Sequence, residues 1–271
     1  MMVSTLLRPE VDSAVSLATI TKVVLVVEYD GTRYFGFQLQ ADCPTIQGEL
    51  EEALLKLTGE RTRVIAASRT DTGVHARGQV ASFRTRSAYS PETLFDGVNH
   101  YLPRDIAVKA THRVRLSFNV RSDAASREYQ YYILNSRTRS PLVEKFTYLV
   151  KGGLDIELMN MACQALIGEH DFATFASRVW GRIKTIRTVY TAEFVKKSDM
   201  VTFNIVANSF LPHQVRNTVG ALVRVGLGKM RLDEFHSIIA AKKPGLAGPT
   251  APACGLCLVQ VNYPRPFEEE I

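Results

Sequence analysis

The sequence predicts an α+β fold in which two split βαβ units stand side by side. Three observations point there. The order strand, helix, strand, strand, helix, strand is legible twice along the chain. The helical segments carry apolar stripes at helical spacing, set between β-branched runs. With 271 residues, 46% of them hydrophobic, the chain can fill the core of one large or two small domains. The two halves do not resemble each other in sequence, so any duplication is one of architecture. The expected division is an N-terminal extension over 1–21, a first domain over 22–117 and a second over 118–271, with the joint near 116–121. Two such units leave a groove between them, and domain junctions are favoured places for ligands.

In the first half, residues 22–28, KVVLVVE, form a continuous apolar run that suits a buried strand. YDGTRYFGFQLQ follows as an irregular, aromatic loop. Residues 45–57 read as a helix with Thr45 as N-cap, Ile46, Leu50, Ala53, Leu54 and Leu57 on its inner face and Gly59 at its end. Strands are expected over 63–68 and 79–84. A second helix over 91–100 has Ser90 as cap and Pro91 at its first position, and a strand over 105–114 closes the half. In the second half, strands are expected over 128–134 and 146–150. A helix follows over 155–167, with Leu154, Leu158, Met161, Ala165 and Leu166 inward. An antiparallel pair over 186–195 and 200–207, helices over 213–225 and 232–241, and a last strand over 256–263 complete the chain.

The formal net charge is +6, which favours an anionic partner such as nucleic acid. No apolar run is long enough to cross a bilayer, and Glu10 and Asp12 interrupt any signal-peptide pattern in the first residues. Four cysteines are present, Cys43, Cys163, Cys254 and Cys257. The CxxC at 254–257 lacks a second ligand pair for zinc. Reduced, structural cysteines in a cytoplasmic protein are expected.

Several stretches carry chemistry. SRTDTGVHARGQVASF, residues 68–83, holds a lone carboxylate, Asp71, among basic and polar neighbours. It reads either as a placed functional group at a sheet rim or as a hairpin loop whose Asp caps its own backbone. EYDGT at 28–32 echoes the motif of aspartate-nucleophile phosphatases, but a turn at Asp30-Gly31 accounts for it. FNVRSDAASREYQYYILN, 118–135, sets Tyr129 and Tyr131 on one strand face and Tyr132 on the other, after Arg121 and Arg127. It is a strand that favours aromatics, or a platform for a stacked base with arginines for phosphate. NSFLPHQVRNTVGALVRVG, 208–226, places Arg216 beside the inner face of a helix. There it either needs a carboxylate partner or snorkels to solvent. GPTAPACGLCLVQV, 248–261, is a small-residue loop open to close backbone approach, or a passive connection.

Taken together, YDGTRYFGFQLQ, TIQGELEEAL, SRTDTGVHARGQVASF, REYQY, NSFLPHQVRN and APACGLCL resemble the tRNA pseudouridine synthase A family in order and spacing, across residues 23–263. The resemblance implies two ferredoxin-like domains whose antiparallel sheets join across a central RNA-binding cleft, in a homodimer. It implies isomerisation of uridine to pseudouridine in the tRNA anticodon stem-loop, at positions 38, 39 and 40, with no metal and no cofactor. It implies that Asp71 is the catalytic carboxylate, that Tyr129 contacts the target base and that Arg216 pairs with Asp71. Arg69 matches a residue that acts as a wedge displacing the base. The rival expectations are a non-catalytic RNA-binding module on the same sheets, and a magnesium phosphatase using Glu28 or Asp30.

Overall fold

The computed structural model describes residues 19–177, 184–265 and 267. The expected N-terminal extension lies outside the described residues over 1–18. Ten strands and five α-helices are present among the described residues. In the first half, β1 (Thr21–Tyr29) leads through an irregular segment to α1 (Ile46–Thr58). A two-residue β2 (Ile65–Ala66), β3 (His75–Thr85), α2 (Pro91–Tyr101) and β4 (Ile106–Val114) follow. In the second half come β5 (Ser126–Asn135), β6 (Tyr148–Val150), α3 (Ile156–Gln164), β7 (Gly168–Asp171), β8 (Ile186–Lys197) and β9 (Met200–Ala207). The chain then runs through α4 (Gln214–Gly226) and α5 (Leu232–Ala241) to β10 (Leu256–Asn262).

All strands join one mixed sheet in the order β4-β1-β3-β10-β5-β9-β8-β7, with β2 added on β3 and β6 on β5. The seam between the halves is the parallel pairing of β10 with β3, Cys257 opposite His75 and Leu258 opposite Ala76. It forms because residue 78 is glycine: a Cβ there would sit 2.4 Å from the Val259 carbonyl oxygen. One continuous apolar cluster, from Val23 and Leu25 through Tyr131 to Val219 and Leu258, runs under both halves.

The helix caps follow the sequence. Thr45 accepts from Gly48 N, Ser90 from Thr93 N and Asp155 from Leu158 N. Four expectations need correction. The strand over 63–68 shrinks to β2, because beyond it Ser68 bonds the Gln79 side chain instead of a ladder partner. The following strand starts at His75 rather than 79, where β10 supplies a neighbour. The helix over 155–167 is shorter and its inner face is only partly the expected one: Leu154 and Leu166 are buried as expected, but Met159, Ala162 and Cys163 are also buried while Met161 is 57% exposed. LDIELMNMACQAL carries two interleaved stripes that share their ends, and packing against α4 and β8 selects the other one in the middle of the helix. Finally, the polar β7 gives no strand signal in the sequence and pairs through its backbone with β8.

Candidate active site

Asp71 lies in the turn between β2 and β3, which bonds to the surrounding structure hold at several points. Gln79 holds Ser68 by both its carbonyl oxygen (2.7 Å) and its N–H (3.2 Å). The buried Tyr29 hydroxyl meets Thr70 Oγ1 at 2.7 Å. Phe37 N donates to Thr70 O at 3.1 Å, Gly73 N to Tyr34 O at 3.2 Å and Val74 N to Asp71 O at 3.1 Å. His75 anchors the far end. Its Nδ1 accepts from Gly31 N at 3.0 Å and its Nε2 faces Lys145 O at 3.1 Å. Burial lowers its pKa and outweighs the Asp30 carboxylate 3.2 Å from Nδ1. The ring is therefore neutral, with the proton on Nε2.

The aromatic loop after β1 thus packs as a clamp on the Asp71 turn. Gly31 is the tightest point, where a Cβ would stand 2.0 Å from Val74 O. Gly31→Ala is therefore expected to cost about 2–3 kcal/mol, as overpacking against rigid backbone does. Thermal melting measures this, and a melting temperature equal to the parent's would mean the turn yields freely.

The opposite wall is the start of α4. Arg216 Nη1 donates to Asp71 Oδ2 at 3.1 Å, and its Nε donates to Ala251 O at 2.9 Å. Ala251 N returns a bond to Arg216 O at 3.2 Å. The small-residue loop before β10 is thus no passive connection, since it orients the guanidinium. His213 Nε2 lies 3.5 Å from the same Asp71 oxygen. The Asp71 and Arg216 side chains are 28% and 15% exposed, so the pair is half-buried and Asp71 keeps contact with the cleft.

These walls enclose a cleft of about 820 Å³. Tyr129 forms part of its floor, its hydroxyl 2.8 Å from Ser68 Oγ. Phe210 stands perpendicular to its ring at 5.2 Å between centroids. Burial above all, with the charge of Asp71 adding, pushes the Tyr129 phenol up to about 12, so it stays neutral. One side is basic. Arg69 is exposed at the rim, and Arg121 donates from Nε to Ala66 O at 2.9 Å. Arg127 is buried and bonds three carbonyls, Ala124 O at 3.2 Å, Asn208 O at 2.7 Å and Arg121 O at 2.6 Å. Burial lowers the pKa of Arg121 and of Arg127, and Arg69 also lowers that of Arg121. Asp71 is the single carboxylate among the described residues lining this cleft. Such a site suits an anionic ligand that presents one electrophilic or acidic centre to one oxygen.

All four residues singled out in the sequence, Arg69, Asp71, Tyr129 and Arg216, line this cleft. Asp30 does not: it accepts from Thr32 N at 2.9 Å, the turn role expected of it. Cys254 and Cys257 are free thiols, and burial pushes Cys257 up to about 11. Among the described residues no group of three or more His, Cys, Asp or Glu side chains is placed to hold a metal ion.

The model of the tRNA pseudouridine synthase family matches residues 25–123 and 162–264. This chain belongs to that family. A relative named tRNA pseudouridine synthase A from Thermoanaerobacter sp. (strain X514) is 43% identical over 241 residues, 89% of this chain and 99% of the relative. Another of that name, from Blochmanniella pennsylvanica (strain BPEN), is 42% identical over 246 residues, 91% of this chain and 94% of the relative. A solved H/ACA RNP bound to a substrate RNA containing 2'-deoxyuridine covers 76% of this chain and 43% of that chain. It shares 10% identity at a TM-score of 0.37.

For this member of the family, sequence reasoning missed four contributors to the site: Gln79, Ser68, Phe210 and His213. Gln79 alternates with apolar residues on β3 and gave no signal of facing a turn. His213 had one in retrospect, since it directly follows Pro212 at the start of a helix that also carries Arg216.

Proposed function

We propose that this protein isomerises uridine to pseudouridine in tRNA, with Asp71 acting on a nucleoside extruded into the cleft. The observation that carries the reading is the pairing of a single cleft carboxylate with Arg216 across the seam, in a chain of this family. The reaction breaks the bond from uracil N1 to ribose C1′, turns the base and joins C5 to C1′. It is redox-neutral, so it calls for no electron carrier. Asp71 has two routes: addition to C1′ or the base as a nucleophile, or removal of a ribose proton as a base. Arg216 fixes the carboxylate for either.

A uridine leaving its stack costs on the order of a few kcal/mol, and contact with Tyr129 returns ~1–3 kcal/mol where ring faces overlap. Tyr129 is only 5% exposed, so full overlap requires a neighbour such as Phe210 to move. Tyr129→Leu is expected to lower turnover more than tRNA affinity. Filter binding beside single-turnover assays distinguishes this from the reverse pattern, which would assign Tyr129 to general binding. Arg69, exposed at the rim, suits the wedge that opens the stack. Arg69 and Arg121, the exposed arginines of the cleft, add sequence-independent affinity for phosphate.

The wider reading rests on the same basis. The strand orders β4-β1-β3-β2 and β10-β5-β9-β8 support two ferredoxin-like domains, over 22–117 and 118–271. We read the substrate as the anticodon stem-loop, the assembly as a homodimer and the compartment as the cytoplasm. Incubation with unmodified tRNA in metal-free buffer, followed by pseudouridine mapping, tests the activity. Binding without modification would favour the RNA-binding module, and phosphate release dependent on magnesium would favour the phosphatase.

A further inference from the structure

The reaction has a second proton problem that Asp71 alone does not solve. Uridine carries hydrogen on C5 and none on N1, whereas the product carries hydrogen on N1 and none on C5. Once C5 is joined to C1′, the C5–H bond must break, with its electron pair restoring the C5–C6 double bond, and N1 must gain a proton. Asp71 is engaged with the sugar or the base in the first half of either route, so a second proton carrier facing the same space leaves the carboxylate free for that half.

The described residues lining the cleft offer few candidates. Arginines do not deprotonate. The Tyr129 phenol is held neutral by burial and bonded to Ser68. Ser68, Thr70, Ser122 and Ser209 are alcohols, and Asn208 and Gln214 are amides. Asp71 and His213 remain, and imidazole is the side chain suited to both taking and releasing a proton near neutrality. His213 is also held in an unusual way. Its backbone is left-handed, φ 61° and ψ 2°, at the N-cap of α4, and its side chain makes no capping bond there. A residue with a Cβ pays for that conformation. The side chain is instead directed at the cleft, 38% exposed, with Nε2 3.5 Å from Asp71 Oδ2.

We propose that His213 is a second catalytic residue, taking the proton from C5 after the new carbon–carbon bond forms and returning it to N1. Both atoms flank C6 of the ring, so one imidazole serves both. The step balances, since the proton lost at C5 is regained at N1 and the ring is again neutral. This rests on the proposed uridine isomerisation.

His213→Asn is the test, because asparagine tolerates the left-handed backbone and cannot carry the proton. Single-turnover rates are measured on tRNA transcripts made with ordinary or 5-deuterated uridine. A fall of about 10²–10⁴-fold is expected, with a deuterium effect on the rate that is larger than in the parent protein and an unchanged melting temperature. A parent-like rate would overturn the proposal. So would a slow rate without an enlarged deuterium effect, which would make His213 a positioning residue for Asp71. If the parent protein makes no pseudouridine, it is the proposed activity that fails; if the parent is active and the variant matches it, only the role of His213 fails.

Discussion

Asp71→Asn is expected to give a folded protein that binds tRNA and forms no detectable pseudouridine. The amide keeps the shape of the carboxylate and can still accept from Arg216 Nη1. What it loses is the negative charge that both routes need. Neither an amide nucleophile nor an amide base replaces it, so a rate loss of at least about 10³-fold is expected. Stability should fall by no more than about 1–2 kcal/mol, since the side chain is partly hydrated in the cleft. Single-turnover modification, filter binding and thermal melting measure the three terms. Retained activity would remove Asp71 from the chemistry.

The second large effect is expected at Arg216. Its guanidinium bonds two groups at once, Ala251 O through Nε and Asp71 Oδ2 through Nη1. Arg216→Lys keeps the charge but not the fork. The ammonium can satisfy one acceptor, and the carboxylate then loses its fixed position. A misplacement near 1 Å costs on the order of 10²-fold, so the expected outcome is a turnover about 10²-fold lower at nearly unchanged tRNA affinity. Arg216→Ala should be slower still. It should not be as destabilising as the loss of a fully buried partner, which costs about 3–5 kcal/mol, because Asp71 at 28% exposure gains water in place of the guanidinium. A lysine variant with parental turnover would show that charge alone suffices.

Most of the fold is legible in the sequence where local rules and packing agree. The stripe Ile46, Leu50, Ala53, Leu54 predicts the buried face of α1, and Thr45 and Ser90 predict their caps. Legibility fails where two local patterns are equally good, as in α3, or where a long-range partner decides. The seam is of the second kind: the parallel pairing of β10 with β3 joins residues far apart in sequence and rests on close approach at Gly78.

The site divides the same way. Asp71 stands out as one acid among arginines, and Arg216 as a cation beside an apolar stripe. That they meet is a property of the seam, since 145 residues separate them. Gln79, which holds the Asp71 turn by two bonds, reads as an ordinary strand residue until the turn folds back over it. His213 follows Pro212 at the start of the Arg216 helix, but the left-handed backbone that holds it there is not written in any side-chain pattern.

The most direct measurement is a structure of the Asp71→Asn variant bound to an anticodon stem-loop carrying its target uridine. The account predicts that uridine extruded into the cleft, with its C1′ against residue 71 and its base between Tyr129 and His213. A uridine still stacked in its stem, or an RNA bound on the far face of the sheet with residue 71 turned to solvent, would contradict it.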